Sequence, residues 1–180
     1  MDATGVKLSK ILVPIDFSEL SRKALHYASA LAQQFRSEMF LLHVVETLPL
    51  VTAEFGLAAA PVSDIRPLQK DAARRMDAWR KAVDASVPVL TLVRTGGSAR
   101  EIVTAVSDCD CNLIVIGTHG RTGLDRMMMG STAERVVRFA PCPVLVIRER
   151  ERDFIRPGAR ERRHGLRTQQ GRSRRHSGLL

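Results

Sequence analysis

The chain has 180 residues, 44% hydrophobic and 26% charged, with a formal net charge of +9. That is enough for one globular domain around a single core but not for two, and no run approaches the roughly 20 apolar residues a bilayer span needs. The stretch from Met1 to Ser9 also lacks the apolar core of a secretory signal, so a soluble, cytoplasmic protein without membrane contact is expected.

The charge is unevenly placed. From Arg148 to Leu180 eleven arginines stand against Glu149, Glu151, Asp153 and Glu161, so +7 of the +9 lies there and the remainder is close to neutral. The organisation this predicts is a folded domain over residues 1–150 and an Arg-rich tail over 151–180 that is disordered when free. Cys109, Cys111 and Cys142 are odd in number and lack zinc-ligand spacing, which favours reduced, buried thiols over a redox pair at 109 and 111.

In chain order, Lys10 to Ile15 reads as a buried strand that turns at Pro14-Ile15-Asp16 and leaves Asp16 at its carboxyl end. Ser18 is a good N-cap, and Leu20, Ala24, Leu25, Ala28 and Leu31 recur at helical spacing towards Phe35. Glu38 to Val45 is the second strand, with Val44 near its end. The β-α-β order demands a crossover and hence parallel pairing. Residues 46–67 break into alanines, prolines and isolated hydrophobics and read as a loop or lid. Leu68 to Ala85 resumes helical spacing, with Met76, Trp79 and Val83 on one face and Trp79 as a packing anchor.

Val87 to Arg94 follows as a third strand, Gly96-Gly97 as a turn, and Ser98 as the cap of a helix through Ile102 and Val106. Asn112 to Ile116 is an uninterrupted apolar strand, as in a parallel sheet covered on both faces. Ser131 to Phe139 is helical and Pro143 to Ile147 the last strand. The sum is an α/β fold, an open doubly wound five-stranded parallel sheet flanked by about four helices. Such sheets bind ligands outside the strands' carboxyl ends, at the switch point.

The richest segment runs from Gly117 to Thr132 and joins a buried strand to a helix N-terminus, whose open amides and dipole attract phosphate. Glycines at 117, 120 and 130 would permit positive φ and close backbone approach, and the hydroxyls of Ser131 and Thr132 can meet phosphate oxygens. No Gly-Lys-Ser/Thr closes the loop and its glycine spacing is not GxGxxG, so it is neither a Walker A nor a Rossmann loop. His119, between two of these glycines, reads as a ligand contact rather than a general base. Arg121 and Arg126 either pair with phosphate or are solvated, and Met127-Met128-Met129 reads as packing. By itself Asp16 would be a turn residue capping the first helix.

The spacing Gly117-x2-Gly120-x9-Gly130-Ser131, with ILVPIDFSE, LLHVVE, LIVIGTHG and GSTAERVVRFAPCPVLVI around it, resembles the universal stress protein family over about residues 9–148. The resemblance implies its adenine nucleotide alpha hydrolase-like fold and ATP as ligand. It sets Pro14, Ile15 and Asp16 against adenine and ribose, and Val44 against adenine. Ile116, Gly117, His119 and Gly120 fall against ribose and phosphates, and Gly130, Ser131 and Thr132 against the triphosphate. Magnesium would be held mainly by phosphate and water. The resemblance further implies a stress-response sensor or switch that forms a homodimer through its last strand. It departs at Ser98, where many relatives have proline, and ends before the tail.

Two alternatives stay open. One is a slow magnesium-dependent ATPase or phosphotransferase, for which Asp16, Asp125 and His119 are the groups in place. The other is binding of nucleic acid or an acidic partner by the tail, whose arginines lack the interleaved aromatics of single-strand recognition. If the tail binds nucleic acid, a chain ending at Arg150 should lose the salt-dependent retention of the full chain on immobilised DNA. Retention with an unchanged salt slope would rule the tail out.

Overall fold

The computed structural model describes residues 5–46, 64–118 and 129–150, together with 152, 154 and 155. Strand β1 is Lys10–Pro14, helix α1 Glu19–Phe35, β2 Glu38–Glu46, α2 Arg66–Arg80 and β3 Val89–Gly96; α3 is Ser98–Cys109, β4 Leu113–Gly117, α4 Ser131–Phe139 and β5 Val144–Ile147. These elements lie in the first of two units, Met1–Arg150, and the second is Glu151–Leu180. The strands form one parallel sheet in the order β3-β2-β1-β4-β5, so the expected doubly wound α/β architecture is the one found.

Alternation along the central strands fills two separate layers. Leu12, Phe40, Leu42, Ile114 and Ile116 pack with Ile102, Ala105 and Val106 of α3 and Ala133 and Val136 of α4. Residues of the other parity, Ile11, Val13, Met39, Leu41 and Val115, are equally buried and turn to the opposite face. There α1 offers Ala24, Leu25, Ala28 and Ala32, and α2 offers Ala72, Met76 and Trp79. Each fully buried aliphatic side chain contributes about 1.5–3 kcal/mol. Among the described residues no helix is long and apolar enough to cross a membrane.

Helix α1 starts as its sequence dictates: Ser18 is extended, and its side chain accepts from the Ser21 amide at 3.1 Å. Helix α3 does not. Its N-cap is Gly97 with no side-chain cap bond, and Ser98 is already helical; its hydroxyl donates instead to Glu46 Oε1 at 2.6 Å. Helix α2 begins earlier than the periodicity indicates because Pro67 fits a first turn. It also ends earlier, at Arg80, where the Ala82 and Val83 amides bond three residues back, to Trp79 and Arg80. Asn112 precedes β4 and works through its side chain, accepting from the Lys10 amide at 3.1 Å and donating to Lys7 O at 3.2 Å. The long connection after Glu46 falls at 47–63, outside the described residues, as does nearly all of the tail.

All three cysteines are free. Cys111 is buried in the α3/α4 layer, where loss of hydration pushes its thiol up to about 12; the neighbouring Cys109 and Cys142 act in the same direction. A raised pKa in the folded state means stability is complete below the unfolded value of roughly 8.5 and declines as pH climbs from there towards 12. Two results are expected: at pH 8 a thiol reagent leaves Cys111 unmodified until denaturant is added, and Cys111→Ala removes part of the alkaline loss of stability. Peptide mapping after labelling and pH-dependent melting check them.

Candidate functional site

Strands β1 and β4 are neighbours, yet the segments leaving their carboxyl ends run to α1 on one face and α4 on the other. A cleft of about 620 Å³ opens there, extending to the end of β2, at the switch point where such sheets hold ligands. Pro14, Ile15, Asp16, Val44, Ile116, Gly117, Gly130, Ser131 and Thr132, dispersed over 119 residues of sequence, all line it. His119 and Gly120 lie outside the described residues.

Helices α1, α3 and α4 all start at this rim, and their ends are satisfied differently. The Ser18 hydroxyl accepts from an α1 amide, while at α3 the Ser98 hydroxyl donates to Glu46 and no side-chain cap bond is made. For α4 there is no side-chain cap bond: Gly130 is the N-cap, extended at φ −61° and ψ 146°, and the first intrahelical acceptor is its carbonyl, taken by the Glu134 amide at 2.9 Å. The amides of Ser131, Thr132 and Ala133 therefore have no acceptor within the helix, and all three residues line the cleft. Open amides and the positive end of the helix dipole make this a place for an anion. The loop that delivers the chain to it is closed at its base, with the Gly130 amide donating to Thr118 O at 2.7 Å and the Thr118 amide to Ile147 O at 2.9 Å.

The glycines work otherwise than the sequence suggested. Gly130 has a negative φ, and among the described glycines only Gly96, φ 145°, occupies the positive region. Gly117 is required for close packing: a Cβ there would lie 2.9 Å from Leu20 Cγ and 3.4 Å from the Leu20 carbonyl carbon, at the start of α1. Asp16 also has a structural task. Its Oδ1 accepts from the Ser18 amide at 2.9 Å and from the Ser18 hydroxyl at 2.6 Å, an Asx turn that sets the cap of α1 at the mouth of the cleft.

The opposite wall belongs to residues that periodicity did not single out. Phe17, at φ 66°, sets its ring 4.4 Å from that of His43 and 5.7 Å from that of Trp79. His43 Nδ1 lies 2.7 Å from Ile15 O. Leu68, Asp71, Ala72 and Arg75, spaced along one stripe of α2, complete this side. The sequence placed α2 but gave no sign that its first three turns face the cleft. Among the described residues no cluster of three or more His, Cys, Asp or Glu could hold a metal.

The universal stress protein family model matches residues 7–148. The chain belongs to the universal stress protein family. A universal stress protein of Methanocaldococcus jannaschii is 33% identical over 145 residues, spanning 80% of this chain and 84% of that one. Another, YxiE of Bacillus subtilis, is 34% identical over 146 residues, spanning 78% and 99%. The solved structure of MJ0577, a second M. jannaschii universal stress protein, superposes with a TM-score of 0.68 at 28% identity and covers 81% of this chain and 99% of its own. In this universal stress protein Gly117→Ala should lower stability by about 1–3 kcal/mol. In a Leu20→Ala background the same change should lose distinctly less, since the clash is with that side chain. Chemical denaturation of the four proteins checks both.

Proposed function

We propose that this universal stress protein binds ATP in the switch-point cleft and acts as a regulatory sensor in the stress response, its occupancy altering a surface or a dimer. The observation carrying this reading is the α4 N-terminus, which has no side-chain cap bond among the described residues and opens on a cleft whose floor is apolar. A triphosphate satisfies the amides of Ser131 to Ala133, and Ile15, Val44 and Ile116 offer the flat apolar surface an adenine ring needs. Asp16 is the acceptor for a ribose hydroxyl, beside Pro14 and Ile15. Gly117 keeps the cleft open next to Leu20, and His119 and Gly120 belong with the phosphates. Universal stress proteins of the same fold have been solved in complex with cAMP and, from Archaeoglobus fulgidus, with dAMP, at 17% and 22% identity to this chain; the fold accepts such ligands.

The fit is one of shape and charge. The cleft falls within the roughly 300–1,000 Å³ usual for small-molecule sites. Magnesium, when bound, would neutralise phosphate charge, with phosphate and water as its main ligands. Binding is favoured over phosphoryl transfer because the described lining residues include no lysine to cradle the phosphates. The homodimer belongs to the same reading. Strand β5 is the sheet edge, four residues long, with Val144, Leu145 and Val146 half-buried, and an edge of this kind is covered by a second copy.

The test uses proline at the first helical position. Ser131→Pro preserves the helix, because proline is favoured there and Gly130 already has the extended conformation that must precede it. It removes one amide donor from the phosphate site. Calorimetric titration of ATP should show Ser131→Pro weakened about tenfold or more relative to Ser131→Ala, which removes only the hydroxyl. Asp16→Asn, which retains the Asx turn, should weaken ATP by a smaller factor. Equal affinity in wild type and Ser131→Pro would refute the site. Single-turnover assay with magnesium separates a binder from an ATPase.

A further inference from the structure

Helix α2 carries four arginines, three of them beside a carboxylate: Arg66 with Asp64 at 2.7 Å, Arg74 with Asp71 at 2.6 Å and Arg80 with Asp77 at 3.9 Å. Arg75 is different. Among the described residues no carboxylate lies within ion-pair distance of it; its guanidinium carbon sits 3.7 Å from the centroid of the Phe17 ring, and it lines the cleft. An arginine stacked by its face keeps its N–H edge for a second partner, and that edge matches the oxygens of a phosphate.

The shelf under Arg75 is itself held in place. Phe17 occupies the left-handed region at φ 66°, which a bulky side chain rarely enters. Arg36 and Asp110 are also there, but they close helices α1 and α3; Phe17 closes none. Its conformation is maintained by His43 at 4.4 Å, by the edge contact with Trp79 at 5.7 Å and by Arg75 itself. Strain fixed by its surroundings beside a ligand cleft is a mark of function. The other charged side chains described in the lining, Asp16, Glu46 and Asp71, are all carboxylates. An anionic ligand must therefore find a cation besides the α4 terminus, and Arg75 is the one the described lining supplies.

We infer that Arg75 recognises the anionic part of the nucleotide, with Phe17 holding its guanidinium ready. The inference rests on the reading of the cleft as a nucleotide site and names a residue of α2 that selects for charge. It also gives the site a built-in reporter. Trp79, the only tryptophan in the chain, follows Arg75 by one turn and meets the edge of Phe17, with the Arg22 guanidinium 4.7 Å from its ring centroid. Withdrawal of Arg75 from Phe17 onto the ligand changes the surroundings of that ring.

The experiment titrates ATP and adenosine into the full-length wild type, Arg75→Gln and Arg75→Lys, following heat and Trp79 emission together. Arg75→Gln should weaken ATP by about 10- to 100-fold while leaving adenosine affinity unchanged, and Arg75→Lys should fall between. Wild-type emission should respond to ATP more than to adenosine, and the Gln variant should lose that difference. Equal loss of ATP and adenosine in Arg75→Gln would make Arg75 merely structural, and no loss of either would make it a bystander; each overturns the inference and leaves the nucleotide site standing. A wild type that binds neither ligand overturns both.

Discussion

Everything at the functional end of this molecule follows from the order of its strands. The chain lays down β1, β2 and β3 in one direction and then crosses back, so that β4 pairs with β1 on the other side. Right-handed crossovers put α1 and α2 on one face and α3 and α4 on the other. Where the direction reverses, the chain leaves β1 towards one face and β4 towards the other, which parts the two strand ends and opens a gap between them. The register Ile11 with Leu113 and Leu12 with Ile114 keeps the two strand ends level. Gly117 lets the start of α1 approach the end of β4 with Leu20 against its Cα.

Three helix N-termini border the gap, and each is settled differently. An uncapped helix end exposed only to apolar surface would be unstable, so each terminus must find a partner. Ser18 settles α1 locally. At α3 the Ser98 hydroxyl donates to Glu46 instead of capping, and the helix has no side-chain cap bond at its N-cap, Gly97. Among the described residues no hydroxyl or carboxylate caps the first amides of α4, and the hydrogen bond from the Gly130 amide to Thr118 O holds that end beside the cleft. A site left open in this way, beside apolar strand ends, favours a ligand with an anionic end and a flat apolar end.

Much of this was legible in the sequence, for a definite reason. Strand ends and helix starts are local features, marked by short apolar runs followed by Asp16, Gly117 or Gly130-Ser131, and a parallel sheet then carries those ends to one edge. The residues that escaped notice depend on tertiary placement. Arg75 looks like any exposed helical arginine until α2 is docked across β2 and β3. Phe17 looks like a core aromatic until its backbone is seen in the left-handed region. Gly117 was read as permitting positive φ and close backbone approach; the structure shows no positive φ there but tight packing against Leu20, 97 positions away by sequence and adjacent only after folding.

The way α2 is fastened bears on how such a protein would signal. At the cleft its contacts with the β1–α1 turn and with α1 are between rings and guanidinium groups: Phe17 with Trp79, Arg75 on Phe17 and Arg22 over Trp79. Each is worth about 0.5–1.5 kcal/mol, whereas Met76 and Ala72, one face around, are fixed in the core by burial. The buried face, Trp79 included, keeps α2 on the sheet, and the exposed Arg75 on Phe17 decides how its cleft side sits. A ligand can redistribute states only by its differential affinity for them. Interactions of this size are small enough for one charge-assisted hydrogen bond to overcome, and the core beneath them is not. The cleft side of α2 is thus the part of the fold that a ligand in the cleft would move without cost to the sheet.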